Sequence, residues 1–296
     1  MIRVLIAEDS VTVSRLLCAV LGADPQIEIA GTAKNGREAV DMTKRLRPDV
    51  VTMDVNMPVL DGFEATKQIM IETPTPIVII SASVDVHNVN ISMNALRAGA
   101  VALLEKPPGP DSPDFDDVVS RIVSTVKAMA GVKVIRHWPA RTVSKHLPRV
   151  ADLRPWTQVR VVAIAASTGG PAALARILAD LPAQFPVPIL IVQHIASGFV
   201  GGLASWLNSA CSLKVKVAQD GEALAPSTVY LAGEEAHLGV TSDSRIKLEN
   251  SSPIGGFRPS ASYLFESVGK GFGSSALAVI LTGMGQDGVK GSEAVV

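Results

Sequence analysis

The sequence has no excess of either charge, few cysteines and no long apolar run. Its 296 residues carry 27 Lys and Arg against 28 Asp and Glu, which gives a formal net charge of −1. Nucleic acid is therefore not expected as a partner, because neutralising phosphates requires clustered Lys and Arg. No apolar run approaches the roughly 18 residues that span a bilayer, so no membrane insertion is expected. The opening segment, MIRVLIAEDS, soon meets Glu8 and Asp9 and does not predict a signal peptide.

Only two cysteines occur, Cys18 and Cys211, and both lie in apolar, helix-like stretches. Buried free thiols are favoured there over a disulfide, so we expect a reduced, cytoplasmic protein. What the sequence does contain is apolar residues, which make up 47% of it. That content is enough for two buried cores, and the length predicts about two domains.

Short apolar runs alternate with amphipathic stretches through the first part of the sequence. The runs are Val4–Ala7, Ile27–Ala30, Val50–Met53, Ile77–Ile80 and Val101–Leu104. Strands alternating with helices predict a parallel sheet that is covered on both faces. In such sheets the functional residues gather at the carboxyl ends of the strands.

The alternation fails from about Gly131 to Gln158, where prolines and scattered basic residues predict a linker. It resumes with less regular strands and helices, including Ala276–Leu281, which is predicted to be a buried strand. We therefore expect domains at 1–127 and 159–296 with a linker at 128–158. Both domains are predicted to be α/β, each a doubly wound parallel sheet.

Acidic residues follow two of the first five predicted strands. Glu8 and Asp9 follow the first strand and Asp54 follows the third, so these carboxylates should converge and repel one another unless a cation is present. Oxygen ligands of this kind suit Mg²⁺. Lys106 and Ser81 follow the fifth and fourth strands, where they could contact a phosphoryl group. Each residue alone also has a plain interpretation, such as a helix N-cap or a solvated surface charge.

The segments IAEDS, VVTMDVNMPVLDG, VIISAS and LLEKP resemble the receiver domain of bacterial two-component response regulators, over about residues 1–125. The resemblance implies a flavodoxin-like fold, with Asp54 as the phospho-acceptor and Ser81 and Lys106 as switch residues. The implied Mg²⁺ ligands are Glu8, Asp9, Asp54 and the backbone carbonyl of Asn56. Leu103 departs from the pattern, because many receivers carry an aromatic switch residue there.

A serine lies between a strand and a helix in VVAIAASTGGP. Ser167 at this junction would lie near the backbone N–H groups of a helix N-terminus, which can stabilise an oxyanion. Two alternatives stay open from this segment alone. The serine could be a plain N-cap, or the glycines could bind phosphate, although the usual Gly-rich phosphate patterns are absent.

Two further residues follow apolar strands in the same part of the sequence. His194 lies in IVQHIASGF and Asp287 in VILTGMGQDGVKG. Alone, the first would be a structural histidine and the second a turn former. If the strands are parallel, both residues share an edge with Ser167, and a nucleophile, a base and an orienting acid are available together. The G-x-S-x-G elbow of α/β-hydrolases is absent.

The segments ASTGGP, QHI, RPSASYLFES and LTGMGQDG resemble the catalytic domain of chemotaxis-type protein-glutamate methylesterases, from about Val159 to the end. The resemblance implies a Rossmann-like domain with Ser167 as nucleophile, His194 as base and Asp287 as acid. It places Thr168 and Met284 along the site and requires no cofactor for the hydrolysis.

The same resemblance implies the partners. The substrate would be a glutamate methyl ester on a methylated chemoreceptor, with glutamine deamidation as a second reaction. A chemosensory histidine kinase would supply the phosphate, and phosphorylation would activate a monomeric enzyme.

Two departures from the family pattern bear on activity. Many relatives carry Asp at the position of Ser262, which predicts an altered substrate rim. The sequence also ends at Val296, where family members continue, so we expect a C-terminally shortened enzyme that is weakly stable or weakly active. The alternative is a phospho-switched binding protein without activity. A DNA-binding regulator is disfavoured by the charge and by the absence of a helix-turn-helix pattern.

Overall fold

A computed structural model describes residues 1–81, 93–132, 134, 159–195, 198–282 and 286–295. The chain divides into two compact units, each of which carries its own sheet. Within the described ranges no helix is both long enough and apolar enough to cross a bilayer. Most of the predicted linker, 128–158, lies outside the described residues.

The first unit is a five-stranded parallel sheet in the order β2-β1-β3-β4-β5. The strands are β1 (Ile2–Ala7), β2 (Ile27–Ala33), β3 (Val50–Met53), β4 (Ile77–Ser81) and β5 (Ala102–Glu105). The helices are α1 (Val11–Gly22), α2 (Gly36–Leu46), α3 (Gly62–Glu72) and α4 (Phe115–Ala130), and residues 93–97 are helical as well. The predicted alternation of strands and helices is confirmed.

Local sequence explains where these helices begin. The Asn35 side chain accepts from the Glu38 N–H at 2.9 Å, and the Asp61 side chain accepts from the Glu64 N–H at 2.8 Å. Each cap satisfies a donor that has no partner within its helix. The strand order reverses beside β1, so the carboxyl ends of β1 and β3 form the crevice where doubly wound sheets bind ligands.

The second unit is also a five-stranded parallel sheet, in the order β12-β6-β7-β9-β8. Its strands are β6 (Val161–Ala166), β7 (Ile189–Gln193), β8 (Lys214–Val217), β9 (Thr228–Leu231) and β12 (Ala276–Ile280). An antiparallel hairpin joins β10 (His237–Val240) to β11 (Ile246–Glu249). The helices in this part of the chain are α5 (Gly170–Asp180), α6 (Val200–Ala210), α7 (Ala261–Phe272) and α8 (Val289–Ser292), with a 3-10 turn at Gly273–Ser275.

Strand β12 differs from its prediction as a buried strand. It lies at the edge of the sheet, its residues are partly exposed, and Ile280 is 51% exposed. The physical reason is that an apolar run identifies a strand but not its place in the sheet. Among the described residues, β12 pairs with β6 on one side only.

Candidate functional site

A compact cluster of charges lies at the strand ends of the first unit. The Lys106 ammonium, after β5, donates to Asp54 Oδ2 at 2.9 Å and to Glu8 Oε1 at 3.0 Å. The two carboxylates are buried, whereas Lys106 is partly exposed. The structure therefore brings together three of the residues that the sequence placed at separate strand ends.

This cluster carries more negative than positive charge, because two buried carboxylates share one ammonium. Burial raises the pKa of Glu8, and the negative charge of Asp54 raises it further. Burial also raises the pKa of Asp54, against the opposing effect of the Lys106 hydrogen bond. Burial alone would lower the pKa of Lys106, but its hydrogen bonds to both carboxylates outweigh this and raise it. Additional positive charge would relieve the crowding.

The same cluster fits a hard divalent cation. Carboxylate oxygens of Glu8, Asp9 and Asp54 lie within 4.8 Å of one another, and Asp9 is exposed. Lys106 Nζ lies 2.9 Å from Glu8 Oε2, yet this buried oxygen has no hydrogen bond among the described residues. Glu8 Oε2, which is paired with an ammonium alone, forms with the carboxylates of Asp9 and Asp54 an oxygen donor set suited to Mg²⁺.

The remaining predicted residues of this cluster lie beside it. The Asn56 backbone N–H donates to the Asp54 carboxylate. Ser81 is fully buried at the end of β4, and its carbonyl accepts from the Lys106 N–H at 3.1 Å. Leu103 is buried within β5. The predicted set is thus assembled in one place, and no aromatic side chain stands at position 103.

The loop after Asp54 is tightly built. A Cβ on Gly62 would meet the Asp54 carbonyl oxygen at 2.1 Å, so this position requires glycine. Within the same loop, Val59 has a φ of 69° and is 84% exposed. The Leu60 N–H donates to the Pro58 carbonyl at 2.7 Å, which closes a three-residue γ-turn around Val59.

In the second unit, three adjacent strands end beside one another. Ser167 follows β6, His194 follows β7 and Asp287 follows β12, and these strands are neighbours in the sheet. His194 Nε2 lies 3.0 Å from Asp287 Oδ2. All three residues line one small cleft, and the other described residues that line it are Ala165, Ala166, Phe257, Ala261, Ile280 and Thr282.

Both carboxylate oxygens of Asp287 have hydrogen-bond partners among the described residues. The Ser260 hydroxyl donates to Oδ1 at 2.8 Å, and the backbone N–H groups of Ala261 and Ser262 donate at 2.7 and 2.9 Å. These amides belong to the first turn of α7, where a negative charge is stabilised. Burial alone would raise the pKa of the Asp287 carboxyl, but the bonds from His194, Ser262, Ala261 and Ser260 hold it well below its ordinary value.

The imidazole of His194 is fixed in orientation. It stacks on the Phe257 ring, with centroids 4.4 Å apart and planes 12° apart. Its backbone N–H donates to the Ala166 carbonyl at 2.9 Å, next to Ser167 in the chain. Because Nε2 faces Asp287, Nδ1 is the nitrogen through which this ring would serve a neighbouring hydroxyl.

Gln193 contributes to the site, and sequence reasoning missed it. Its side chain is buried, and Nε2 donates to the carbonyls of Ser167 and His194, both at 2.8 Å. One amide group thus ties the end of β6 to the end of β7. The available signal was its position directly before His194 at a strand end.

Three further predictions concern residues around the cleft. Thr168 follows Ser167 directly but does not line the part of the cleft that the described residues form. Met284 lies outside the described residues. Ser262, expected to alter a substrate rim, is instead buried, and its hydroxyl accepts from the Gly288 N–H at 2.8 Å. Ser262 thus contacts the Asp287 loop through both its N–H and its hydroxyl, an arrangement that the sequence pattern alone could not distinguish from a rim position.

Comparison with known families covers both units. A sequence profile described as "Response regulator receiver domain" matches residues 4–112. A second profile, described as "CheB methylesterase", matches residues 162–296.

Individual relatives span almost the whole chain. The chain is 54% identical to "Protein-glutamate methylesterase/protein-glutamine glutaminase 4" of Myxococcus xanthus, over 98% of this chain and 82% of the relative. A relative from Anaeromyxobacter dehalogenans, with the same name but numbered 3, is 52% identical over 98% and 84%. Among solved structures, the Thermotoga maritima CheB methylesterase catalytic domain is 41% identical, with a TM-score of 0.45, covering 46% of this chain and 74% of that one.

Proposed function

Because this chain belongs to the CheB methylesterase family, whose members of this kind carry an N-terminal receiver domain, we propose that it hydrolyses glutamate methyl esters on chemoreceptors. The observation that carries the proposal is the His194–Asp287 pair, 3.0 Å apart, in the cleft that Ser167 also lines. The names of the relatives favour an enzyme over the alternative of a phospho-switched binding protein.

In the proposed reaction Ser167 is the nucleophile, His194 is the base and Asp287 orients the base. His194 takes the Ser167 proton, through Nδ1, as the serine oxygen attacks the ester carbonyl. The carboxylate of Asp287 then stabilises the cationic imidazole, and it is well placed to do so because its own pKa is held low. Methanol leaves with a proton from His194, and water hydrolyses the acyl-enzyme to a glutamate side chain.

Stabilisation of the tetrahedral oxyanion would come from backbone N–H groups near Ser167, with Thr168 and Met284 along the site as the family pattern implies. The same steps applied to a glutamine side chain would release ammonia in place of methanol. We therefore include deamidation in the proposed activity, in agreement with the double name of the relatives.

The first unit would regulate the esterase activity. We propose that Asp54 accepts a phosphoryl group and that this modification activates the esterase. Glu8, Asp9, Asp54 and the Asn56 carbonyl would hold Mg²⁺, which supplies charge neutralisation for phosphate transfer when it is bound. Lys106 would pair with the phosphoryl oxygens, and Ser81 would hydrogen-bond them.

The proposal extends to organisation and partners. The domain boundaries at 1–127 and 159–296 are supported by profile matches at 4–112 and 162–296. A chemosensory histidine kinase is the proposed phosphodonor and a methylated chemoreceptor the substrate. A cytoplasmic location and a monomeric state remain predictions.

The test is methanol release from a methyl-esterified chemoreceptor fragment. We expect release by the full chain, and a loss of about 10³-fold or more in Ser167→Ala. Ser274→Ala, an exposed serine in the 3-10 turn, is the matched control and should keep wild-type activity. Wild-type release by a folded Ser167→Ala protein would end the nucleophile assignment.

A further inference from the structure

A second histidine lies behind the candidate active site. His237 begins β10, is fully buried, and stacks on the Tyr263 ring with centroids 5.1 Å apart. The Ser260 N–H donates to His237 Nδ1 at 3.1 Å, and Nε2 lies 3.2 Å from the Ser252 carbonyl oxygen. Because Nδ1 accepts from the Ser260 N–H, the tautomer that fits both contacts carries its proton on Nε2, which faces the Ser252 carbonyl.

Ser260 connects this histidine to the active site. Its hydroxyl donates to Asp287 Oδ1 at 2.8 Å, and it is the N-cap residue of α7. The next two amides, those of Ala261 and Ser262, also donate to Asp287. A shift of the Ser260 backbone would therefore displace three of the donors that hold the carboxylate. The contacts run in series from His237 through Ser260 and Asp287 to His194.

A purely structural histidine is the plain interpretation of such a buried ring. The hydrogen-bond pattern argues for more, because an apolar residue of similar size would leave the Ser260 N–H without its acceptor at the start of α7. That N–H belongs to the one residue that both caps α7 and binds Asp287.

We propose that His237 is a positioning residue for the esterase reaction, which fixes Asp287 through Ser260 and so sets the orientation of the catalytic imidazole. The inference rests on the proposed esterase function. It predicts that the bond from Ser260 to Nδ1 matters for turnover, whereas the bond from Nε2 to Ser252 does not.

Two variants separate the two bonds. In His237→Asn the side-chain oxygen takes the place of Nδ1 and keeps the contact with the Ser260 N–H. In His237→Gln the side-chain nitrogen takes the place of Nε2 and keeps the contact with Ser252. We expect kcat for methyl-ester hydrolysis to stay within about 3-fold of wild type in His237→Asn and to fall about 10- to 100-fold in His237→Gln, with KM unchanged in both.

A urea unfolding midpoint for each variant distinguishes positioning from general stabilisation. Each variant loses one hydrogen bond, so similar midpoints with different kcat values support the proposal. Equal kcat values in the two variants, or kcat values that simply follow the midpoints, overturn it.

A readout without catalysis separates this inference from the proposed function. If wild type shows no Ser167-dependent hydrolysis, the proposed function fails. The inference about His237 can still be tested by comparing the urea unfolding midpoints of His237→Gln, Asp287→Asn and the double variant. Residues that act through one chain of contacts should lower the urea midpoint less together than the sum of their separate effects. Additive effects would show that His237 and Asp287 are independent and would overturn the proposal.

Discussion

The two units place aspartates at the same kind of strand end but give them opposite surroundings. In the first unit, Asp54 and Glu8 share a single ammonium, and burial raises the pKa of both carboxyls. In the second, Asp287 receives bonds from an imidazole, a hydroxyl and two backbone amides, which outweigh burial and lower its pKa. All three carboxylates are buried, so the difference lies in their neighbours. Asp54 and Glu8 lie beside each other and have fewer donors, namely Lys106 and nearby backbone N–H groups, whereas Asp287 has four donors.

This comparison separates two uses of one residue type. A carboxylate with few donors gains from added positive charge, which suits a cation site and a group that is modified. A carboxylate whose oxygens are already bonded keeps its charge and its orientation, which suits a residue that holds an imidazole. The parallel sheet determines only where the carboxylates lie, at the carboxyl ends of the strands, and the neighbouring donors determine their chemistry.

The largest expected effect is that of Asp287→Asn. Turnover should fall about 10²- to 10⁴-fold, because an amide nitrogen cannot accept from the surrounding donors or support the cationic imidazole. The free energy of unfolding at pH 7 should also fall, by on the order of 2 kcal/mol. Methanol release and urea denaturation measure the two effects.

The pH dependence of this stability difference tests the role of the charge. The pKa of Asp287 in the folded protein lies below the unfolded value of about 3.9. The carboxylate therefore contributes to the free energy of unfolding above that pH, and this contribution is lost as the pH falls toward the folded pKa. The difference between wild type and Asp287→Asn should therefore shrink between about pH 5 and pH 3. An equal difference at pH 7 and pH 3 would show that the carboxylate charge is not the source.

Asp54→Asn should have the opposite effect on stability. It removes one of two carboxylates that share Lys106, so the unfolding midpoint should stay the same or rise. The activation of wild type by a small phosphodonor with Mg²⁺, about 5- to 150-fold, should disappear in the variant. Asp41→Asn, an exposed position on α2, is the control. An unfolding midpoint of Asp54→Asn below that of wild type would contradict the difference proposed here between the two units.

A smaller effect is expected from Gln193→Met, which keeps the length of the side chain but removes both N–H donors. The carbonyls of Ser167 and His194 would lose their common partner, and kcat should fall about 10-fold with KM unchanged. Stability should change little, because Gln193 Oε1 is a buried acceptor without a hydrogen bond and is removed as well. Gln219→Met is the exposed control. Wild-type kcat in Gln193→Met would show that this bridge does not position the site.

The sequence predicted which residues follow the strands better than it predicted the contacts that hold those residues in place. Apolar periodicity located Ser167, His194 and Asp287 after strands, because strands alternate predictably with helices. It did not find the Gln193 bridge or the buried hydroxyl of Ser262, since both depend on which backbone groups meet across the sheet. The exposure of β12 was missed for a related reason, because strand order is set by tertiary packing.

The smallest expected effect compares the loops that follow the two aspartates. After Asp287 the positive φ of 90° falls on Gly288, which adopts it without strain, whereas after Asp54 a φ of 69° falls on Val59. A β-branched residue at positive φ costs about 1–3 kcal/mol, and Val59 is 84% exposed, so little burial offsets that cost. Val59→Gly should therefore raise the free energy of unfolding by about 1 kcal/mol, after about 0.5–1 kcal/mol is subtracted for the freer unfolded chain. Val11→Gly, an exposed valine at the start of α1 without positive φ, should instead lower it by about 0.5 kcal/mol. Urea denaturation of the full chain gives both values, and a loss of stability in Val59→Gly equal to that in Val11→Gly would mean that the Asp54 loop stores no strain.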